Sequence, residues 1–283
     1  MKNNQLTVVI PTLGKKKLDS LLKKLTKSNF VKEILISIPY SNNKKTHSLN
    51  NKKIKIVRTK FKHQVKQRIA CYKKIKTKYT LLLDDDVSFN NYFVFKLLKA
   101  KIKKGDNAII GPIYYNDKNL NKIHSLDSNF KSIIKRFLQT IFLGIPFTKK
   151  RMGKISKAGT CYGVDPDYME SDYIEVDWIP GGCMILSTKN LVNKNYFYIK
   201  GKAYCEDLIQ SYLWKKKKLS LYIYNKAKIY TDSPSKLQNK EDLKNYLDGH
   251  KLFCKYSNLS NFRVSLWRTY LNLKLIFKKL AIK

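Results

Sequence analysis

The run YTLLLDDDV, from Tyr79 to Val87, decides the reading of the fold. Its first five residues carry no charge and end in three leucines, the pattern of a short strand buried inside a sheet. The switch to Asp84-Asp85-Asp86 marks that strand's carboxyl end. Toward the N-terminus, Leu6–Ile10, Glu33–Ile38 and Ile54–Val57 read as further strands. Between them Leu18, Leu21, Leu22 and Leu25, and then Val65, Ile69 and Tyr72, recur at helical spacing. Strands alternating with helices predict an α/β fold with a mostly parallel sheet and helices on both faces. In open sheets of this kind ligands bind beyond the carboxyl ends of the strands, so the residues after Leu83 matter more than the strand itself. A helix is expected to start near Ser88, whose hydroxyl suits an N-cap.

Three adjacent carboxylates repel one another and hold protons more tightly unless a cation lies among them. Their hard oxygens suit Mg²⁺ or Mn²⁺, which in turn favour phosphate oxygens. In an extended segment Asp84 and Asp86 point the same way, so both can reach one diphosphate-bound metal. A solvated acidic turn is the simpler alternative. The chain carries 58 Lys and Arg against 20 Asp and Glu, a net charge of +38. Eleven of the 20 acids fall in three clusters, at 84–86, at 165–177 and at Glu206-Asp207, and in so basic a chain these clusters need explaining.

Glu206-Asp207 opens an apparent helix, LIQSYLW, with Leu208, Ile209, Tyr212 and Leu213 on one face. Acids in a first turn complement the helix dipole, and one of them is also placed to act as a general base if an acceptor hydroxyl enters the same cleft. Helical spacing puts Asp207 beside the apolar face and Glu206 where it would hold the turn. Trp178-Ile-Pro-Gly181-Gly182-Cys183 precedes an apolar strand, MILS, and paired glycines allow either a close backbone approach to a ligand or only a bend. Gln64, Gln67 and Arg68 lie opposite Val65, Ile69 and Tyr72, aimed at the sheet edge or at water.

In this order, a Pro-Thr after the first strand, a QxxQR helix, the LLLDDDV strand end, the PGGCMIL segment and the YCEDL helix start resemble the family-2 glycosyltransferases of the GT-A fold, nearest to bacterial surface-polysaccharide enzymes. The likeness spans residues 5–235. It implies an inverting transferase moving a sugar from a nucleoside-diphosphate sugar to a hydroxyl of a glycan or lipid-linked acceptor in surface polysaccharide synthesis. Asp84 to Asp86 would then be the D-x-D element, with Asp84 and Asp86 on Mn²⁺ or Mg²⁺ and Asp84 and Asp85 toward the donor. Pro11 and Thr12 would line the nucleotide, with Gln64 and Arg68 near it. Trp178, Gly181 and Gly182 would shape the cleft, and Asp207, next to Glu206, would be the base. Where the family carries an aspartate after strand two, this chain reads LISIPYSN, with Ser37 or Tyr40 as substitutes. Where many members place a metal-binding histidine, it reads KIYTDSPS, with Thr231 in that place and Asp232 as a further candidate ligand.

Residues 1–235 are expected to form the GT-A-like domain, with 1–111 the nucleotide-binding half and 112–235 the acceptor and catalytic half, and 236–283 a C-terminal helical extension. Residues 129–151 and the last stretch, NFRVSLWRTYLNLKLIFKKLAIK, read as amphipathic helices studded with cations, suited to an anionic membrane surface; core-facing helices with solvated lysines are the alternative. No stretch is apolar enough to span a bilayer, and no signal peptide is recognised. Five scattered cysteines suggest neither a disulfide framework nor a zinc site, and a cytoplasmic enzyme peripheral at the inner face of the cell membrane is expected. Only six of the 58 cations are arginine, which argues against a nucleic-acid partner. His47, His63, His124 and His250 show no ligand spacing and are expected at the surface. Two rivals remain: a metal-dependent nucleotidyl- or phosphotransferase using the same aspartates without a sugar acceptor, and a non-catalytic polyanion- or membrane-binding protein on a degenerate scaffold, favoured if metal affinity is absent.

Overall fold

A computed structural model describes residues 5–13, 18–41, 51–126, 130–232 and 239–280. The N-terminal alternation becomes a parallel block, β3-β2-β1-β4, made of β1 (Leu6–Pro11), β2 (Val31–Pro39), β3 (Ile54–Thr59) and β4 (Tyr79–Leu83). All six residues of β1 and all five of β4 are buried, because helices cover both sheet faces. Side chains alternate between those faces along each strand. Leu6, Val8 and Ile10 meet the leucines of α1 (Leu18–Lys27) on one side. Val9, Leu35 and Leu82 meet Val65, Cys71 and Tyr72 of α2 (Gln64–Tyr72) on the other.

Beyond β4 the sheet changes sense. β8 (Cys183–Ser187) pairs antiparallel with β4 and with β6 (Ala108–Asn116), while β9 (Ser220–Thr231) runs parallel to β6. Two short strands, β5 (Val87–Ser88) and β7 (Tyr173–Glu175), pair antiparallel with β9. α3 (Phe93–Lys104) shares the α1 face, and α5 (Glu206–Lys216) and α6 (Lys240–Ser257) share the α2 face, which completes the mixed α/β sandwich expected.

The helix expected near Ser88 is displaced. Val87 and Ser88 pair with Thr231 and Tyr230, so the chain stays extended after the aspartates and the helix begins only at Phe93. The Ser88 hydroxyl donates to Asp117 instead of capping. The expectation of surface histidines is also corrected, because His250 is completely buried on α6, its Nε2 2.9 Å from the Ala158 carbonyl. His63 and His124 are half-buried, against Phe197 and Trp178 respectively, and His47 lies outside the described residues.

α4 (Phe130–Leu143) and α7 (Asn261–Leu280) pack on each other. On α4, Ile133, Ile134, Phe137, Leu138, Ile141 and Phe142 face outward, 41–56% exposed. A groove of about 600 Å³ runs between the two helices, lined by Leu138, Phe142, Leu266, Trp267 and Tyr270 among others. Among the described residues no helix is long and apolar enough to cross a membrane.

Candidate active site

The strand ends set the site. The Thr12 amide donates to the Ser37 carbonyl at 3.0 Å, and Gln67 of α2 donates to the carbonyls of both Thr12 and Ser37 at 3.1 and 2.9 Å, which ties the tips of β1 and β2 together. The Thr12 hydroxyl donates to the Asp85 carboxylate. The Asp84 amide donates to the Gly182 carbonyl at 2.9 Å, joining the end of β4 to the loop before β8. Pro11, Thr12, Gln64 and all three aspartates line one open pocket of about 360 Å³, with Lys62 and Lys202 also on its wall.

Arg68 lies behind this pocket and not on its wall. It is 1% exposed, and one guanidinium nitrogen donates to Asp84 Oδ1 at 2.8 Å and to the Gly181 carbonyl at 2.7 Å. The other donates to Glu206 Oε1 at 2.9 Å. Burial works against the Arg68 charge, and the Glu206 and Asp84 carboxylates more than offset it. Gln64 donates to the same Asp84 oxygen at 2.7 Å. Asp84 is nonetheless pushed up to about 6 by burial; Arg68 pulls it down, while the charges of Asp86 and Glu206 add to the rise. A divalent cation on these hard carboxylate oxygens would relieve the part of that rise that comes from Asp86 and Glu206.

At the start of α5 the two acids part. Cys205 precedes them with φ +62°, a left-handed turn that costs a non-glycine residue about 1 kcal/mol or more. α6 presses on that turn: a Cβ at Gly249 would stand 2.1 Å from the Tyr204 carbonyl oxygen, so only glycine fits. Glu206 turns inward to Arg68 and accepts from the Tyr196 hydroxyl at 2.9 Å. Asp207 turns toward the glycine loop and accepts from the Gly181 amide at 3.3 Å. A Cβ at Gly181 would lie 2.6 Å from Glu206 Oε1, so any larger residue there would push that carboxylate away from Arg68. Burial first, and then the Glu206 charge, push the Asp207 carboxyl up to about 7, while backbone amides pull it back.

Trp178 lies apart from the aspartates. It is 7% exposed, its indole N–H donates to the Tyr162 carbonyl at 3.0 Å, and it lines a small pocket behind the cleft with Tyr114, His124 and Pro180. Asp232 follows Thr231, whose partner is Val87, so the antiparallel register sets Asp232 across from Asp86. Among the described residues no three or more His, Cys, Asp or Glu are gathered to hold a metal by themselves. Sequence reasoning missed Tyr196 and the part played by Gln67. Tyr196 sits in the irregular stretch VNKNYFYI, which has no periodicity to mark it, whereas Gln67 was on the right helix face but reads as solvated until β1 and β2 are placed over it.

This arrangement is that of a GT-A fold. Residues 7–157 match the family described as Glycosyl transferase family 2, and the chain belongs to that family. Among solved structures it is similar to GalNAc-T7 with UDP, GalNAc and Mn²⁺, at 14% identity and a TM-score of 0.58, over 98% of this chain and 57% of that one. It is similar also to glucosyl-3-phosphoglycerate synthase from Mycobacterium tuberculosis in complex with Mn²⁺, UDP and phosphoglyceric acid, at 9% identity and a TM-score of 0.55, over 91% and 80% of the two chains. A third is S. aureus TarS with UDP-GlcNAc, at 13% identity and a TM-score of 0.52, over 89% and 66%. The chain thus spans little more than half of the first of these. No curated protein matches the sequence.

Proposed function

We propose that this cleft moves a sugar from a nucleoside-diphosphate sugar to a hydroxyl of a glycan or lipid-linked acceptor, with inversion, in surface polysaccharide synthesis. One observation carries the reading: Arg68 joins the Asp84–Asp86 pocket to the helix start that bears Asp207, so a diphosphate site and a candidate base are fixed to each other through single hydrogen bonds. The neighbours' bound UDP and Mn²⁺ support the donor class and the metal.

In this mechanism Pro11, Thr12 and Gln64 line the nucleotide and diphosphate, with Asp85 held by Thr12. Asp84 and Asp86, with Asp232 across the strand pair, would hold Mn²⁺ or Mg²⁺, which when bound neutralises charge on the departing diphosphate. Asp207 takes the proton from the attacking acceptor hydroxyl, and burial beside the Glu206 charge makes its carboxylate more basic than an ordinary one. A single displacement from the face opposite the leaving group inverts the anomeric carbon. Gly181 and Gly182 shape the cleft between donor and base, and Trp178 supports that loop from behind.

Residues 1–235 carry this chemistry, and the helices of 236–283 brace the α5 turn and form half of the α4–α7 face. That face, apolar and flanked by cations, is suited to the anionic inner surface of the cell membrane, where each Lys near anionic lipid contributes about 1 kcal/mol. The test is to incubate the protein with a panel of sugar nucleotides and acceptors, with Mn²⁺ or with EDTA. Metal-dependent stabilisation by one donor and release of its nucleoside diphosphate are expected. Release of pyrophosphate, or no metal-dependent nucleotide binding, would overturn the reading.

A further inference from the structure

Arginine is scarce in this chain, at six residues, and two of the six are buried among the described residues, Arg68 and Arg151. Arg68 is bridged by two carboxylates. Arg151 has none. It ends a single 3-10 turn, Thr148–Arg151, directly after two exposed lysines, yet is itself 2% exposed. One of its terminal nitrogens donates to Gln139 Oε1 of α4 at 2.6 Å, and its guanidinium lies 4.3 Å from the centre of the Tyr162 ring. Its Nε is buried without a hydrogen-bond partner.

A buried cation paired only with neutral groups is costly: burial lowers its hold on the proton, Tyr162 opposes that, and the nearby Arg136 charge adds to the lowering. An anion reaching such a group would satisfy it, and the planar fork of arginine matches phosphate in two hydrogen bonds. Arg151 lines a pocket of about 190 Å³ together with Ser125, Cys161, Tyr162 and Gly163. The acid on that wall, Asp165, is already held by Lys122 at 2.8 Å and by the Leu126 and Asp167 amides at 2.7 and 3.1 Å. The pocket sits between the two regions described above. On one side Cys161 feels the Asp207 charge, and His124, Tyr162 and Gly163 are shared with the small pocket that reaches Trp178 and Pro180. On the other side Gln139 belongs to α4, two positions from the exposed Phe137.

We propose that Arg151 receives a phosphate group of the acceptor, in a subsite between Asp207 and the α4–α7 face. This rests on the transferase reading and names its acceptor class as a phosphorylated one. The acceptor hydroxyl then lies toward Asp207 and the rest of the molecule toward α4.

The test uses the full chain in EDTA, so that the aspartate pocket has no metal through which to bind phosphate, with phenyl phosphate as the probe in calorimetry. The parent is expected to bind it, Arg151→Gln at least tenfold more weakly, and Arg151→Lys with a smaller loss. The paired surface change Lys149→Gln with Lys150→Gln should shift affinity less than twofold. No binding by the parent, equal affinity in Arg151→Gln, or the same loss in the lysine pair would overturn the proposal. Should Arg151→Gln fail to fold, crystals of the unmutated protein soaked in tungstate decide: a peak at the Arg151 guanidinium supports the subsite and none there overturns it. Sedimentation with phosphatidylglycerol vesicles is expected to be unchanged in Arg151→Gln; a parallel loss would assign the site to lipid headgroups and overturn the acceptor assignment. UDP binding in Mn²⁺ is read in the same variants. Its absence from the parent would sink the transferase reading while leaving the phosphate result standing.

Discussion

Between β4 and α5, Arg68, Asp84 and Glu206 are held in mutual contact before any ligand arrives, whereas along α4 six large apolar side chains stand 41–56% exposed. The first region spends folding stability to fix charges, since each of these groups leaves water and two carboxylates gain protons more readily than usual. The second leaves apolar area in water, which is unfavourable unless another apolar phase covers it. Both are departures from what stability alone would select, and they differ in what would resolve them under the proposed function: a cation and a substrate in the cleft, an anionic lipid surface on α4.

The largest effect that would sharpen this contrast is at Asp207. Asp207→Asn keeps shape and removes the proposed base, so turnover is expected to fall about 10²–10⁴-fold with donor binding retained. The sign of its pH dependence differs between rate and stability. Because Asp84 and Asp207 titrate near 6 and 7 against an ordinary 3.8, the native state binds more protons than the unfolded one in that window. The stability they contribute is fully present below about pH 4 and is lost as pH rises through 6 and 7. Turnover is expected to move the other way, rising with pH as the proposed base Asp207 ionises. Thermal unfolding of the metal-free protein across pH checks the first, and Asp207→Asn should flatten the upper part of that curve. A donor-bound Asp207→Asn enzyme with parental turnover would remove the base from this residue; a large loss only in Glu206→Gln would move it one residue back.

Next comes Arg68. Replacing it with Met leaves Asp84 and Glu206 facing each other without their cation, a break expected to destabilise by about 3–5 kcal/mol, measured by denaturant unfolding. A change under about 1 kcal/mol would mean the cleft charges are not preorganised by this bridge. Smaller again is Asp86→Ala. It removes one candidate metal ligand without touching the Arg68 bridge, so UDP affinity in Mn²⁺ should fall about tenfold or more, roughly 1.4 kcal/mol, while the metal-free melting temperature stays or rises. Equal affinity in calorimetry would take the metal away from Asp86.

The two regions were also unequally legible in the sequence. Short uncharged strands such as LTVVI and YTLLL made the parallel block readable, because burial on both faces leaves no charge, only Thr7 and Thr80, to interrupt the apolar run. The acid clusters marked the strand end and the helix start by their rarity. What stayed hidden was set by long-range contact. Arg68 and Glu206 are 138 positions apart, and nothing local to QxxQR says that its arginine points inward. The extended chain at Val87-Ser88 depends on Thr231, and His250 is covered by the distant turn at Ala158–Gly159, whose Ala158 carbonyl lies 2.9 Å from its Nε2. α4 was recognisable as amphipathic, but a stripe of apolar residues alone does not say whether core or solvent receives it.

That ambiguity makes α4 the place for the smallest expected effect on the protein itself. Phe137 and Ile141 are 56% and 50% exposed and four residues apart, so they share one outer stripe. If the stripe faced the core, replacing both with serine would open cavities and cost several kcal/mol. Because it faces outward, Phe137→Ser with Ile141→Ser should change unfolding free energy by no more than about 0.5 kcal/mol per site and leave donor binding and turnover on a soluble acceptor unaltered. Sedimentation with phosphatidylglycerol vesicles should fall severalfold, and raised salt should weaken what remains, since the cations flanking the helix act through a screened field. Unchanged sedimentation would show that the lysines alone hold the surface and that the apolar stripe is covered by something other than lipid. A loss of stability together with sedimentation would place α4 in the core and dissolve the contrast with the cleft.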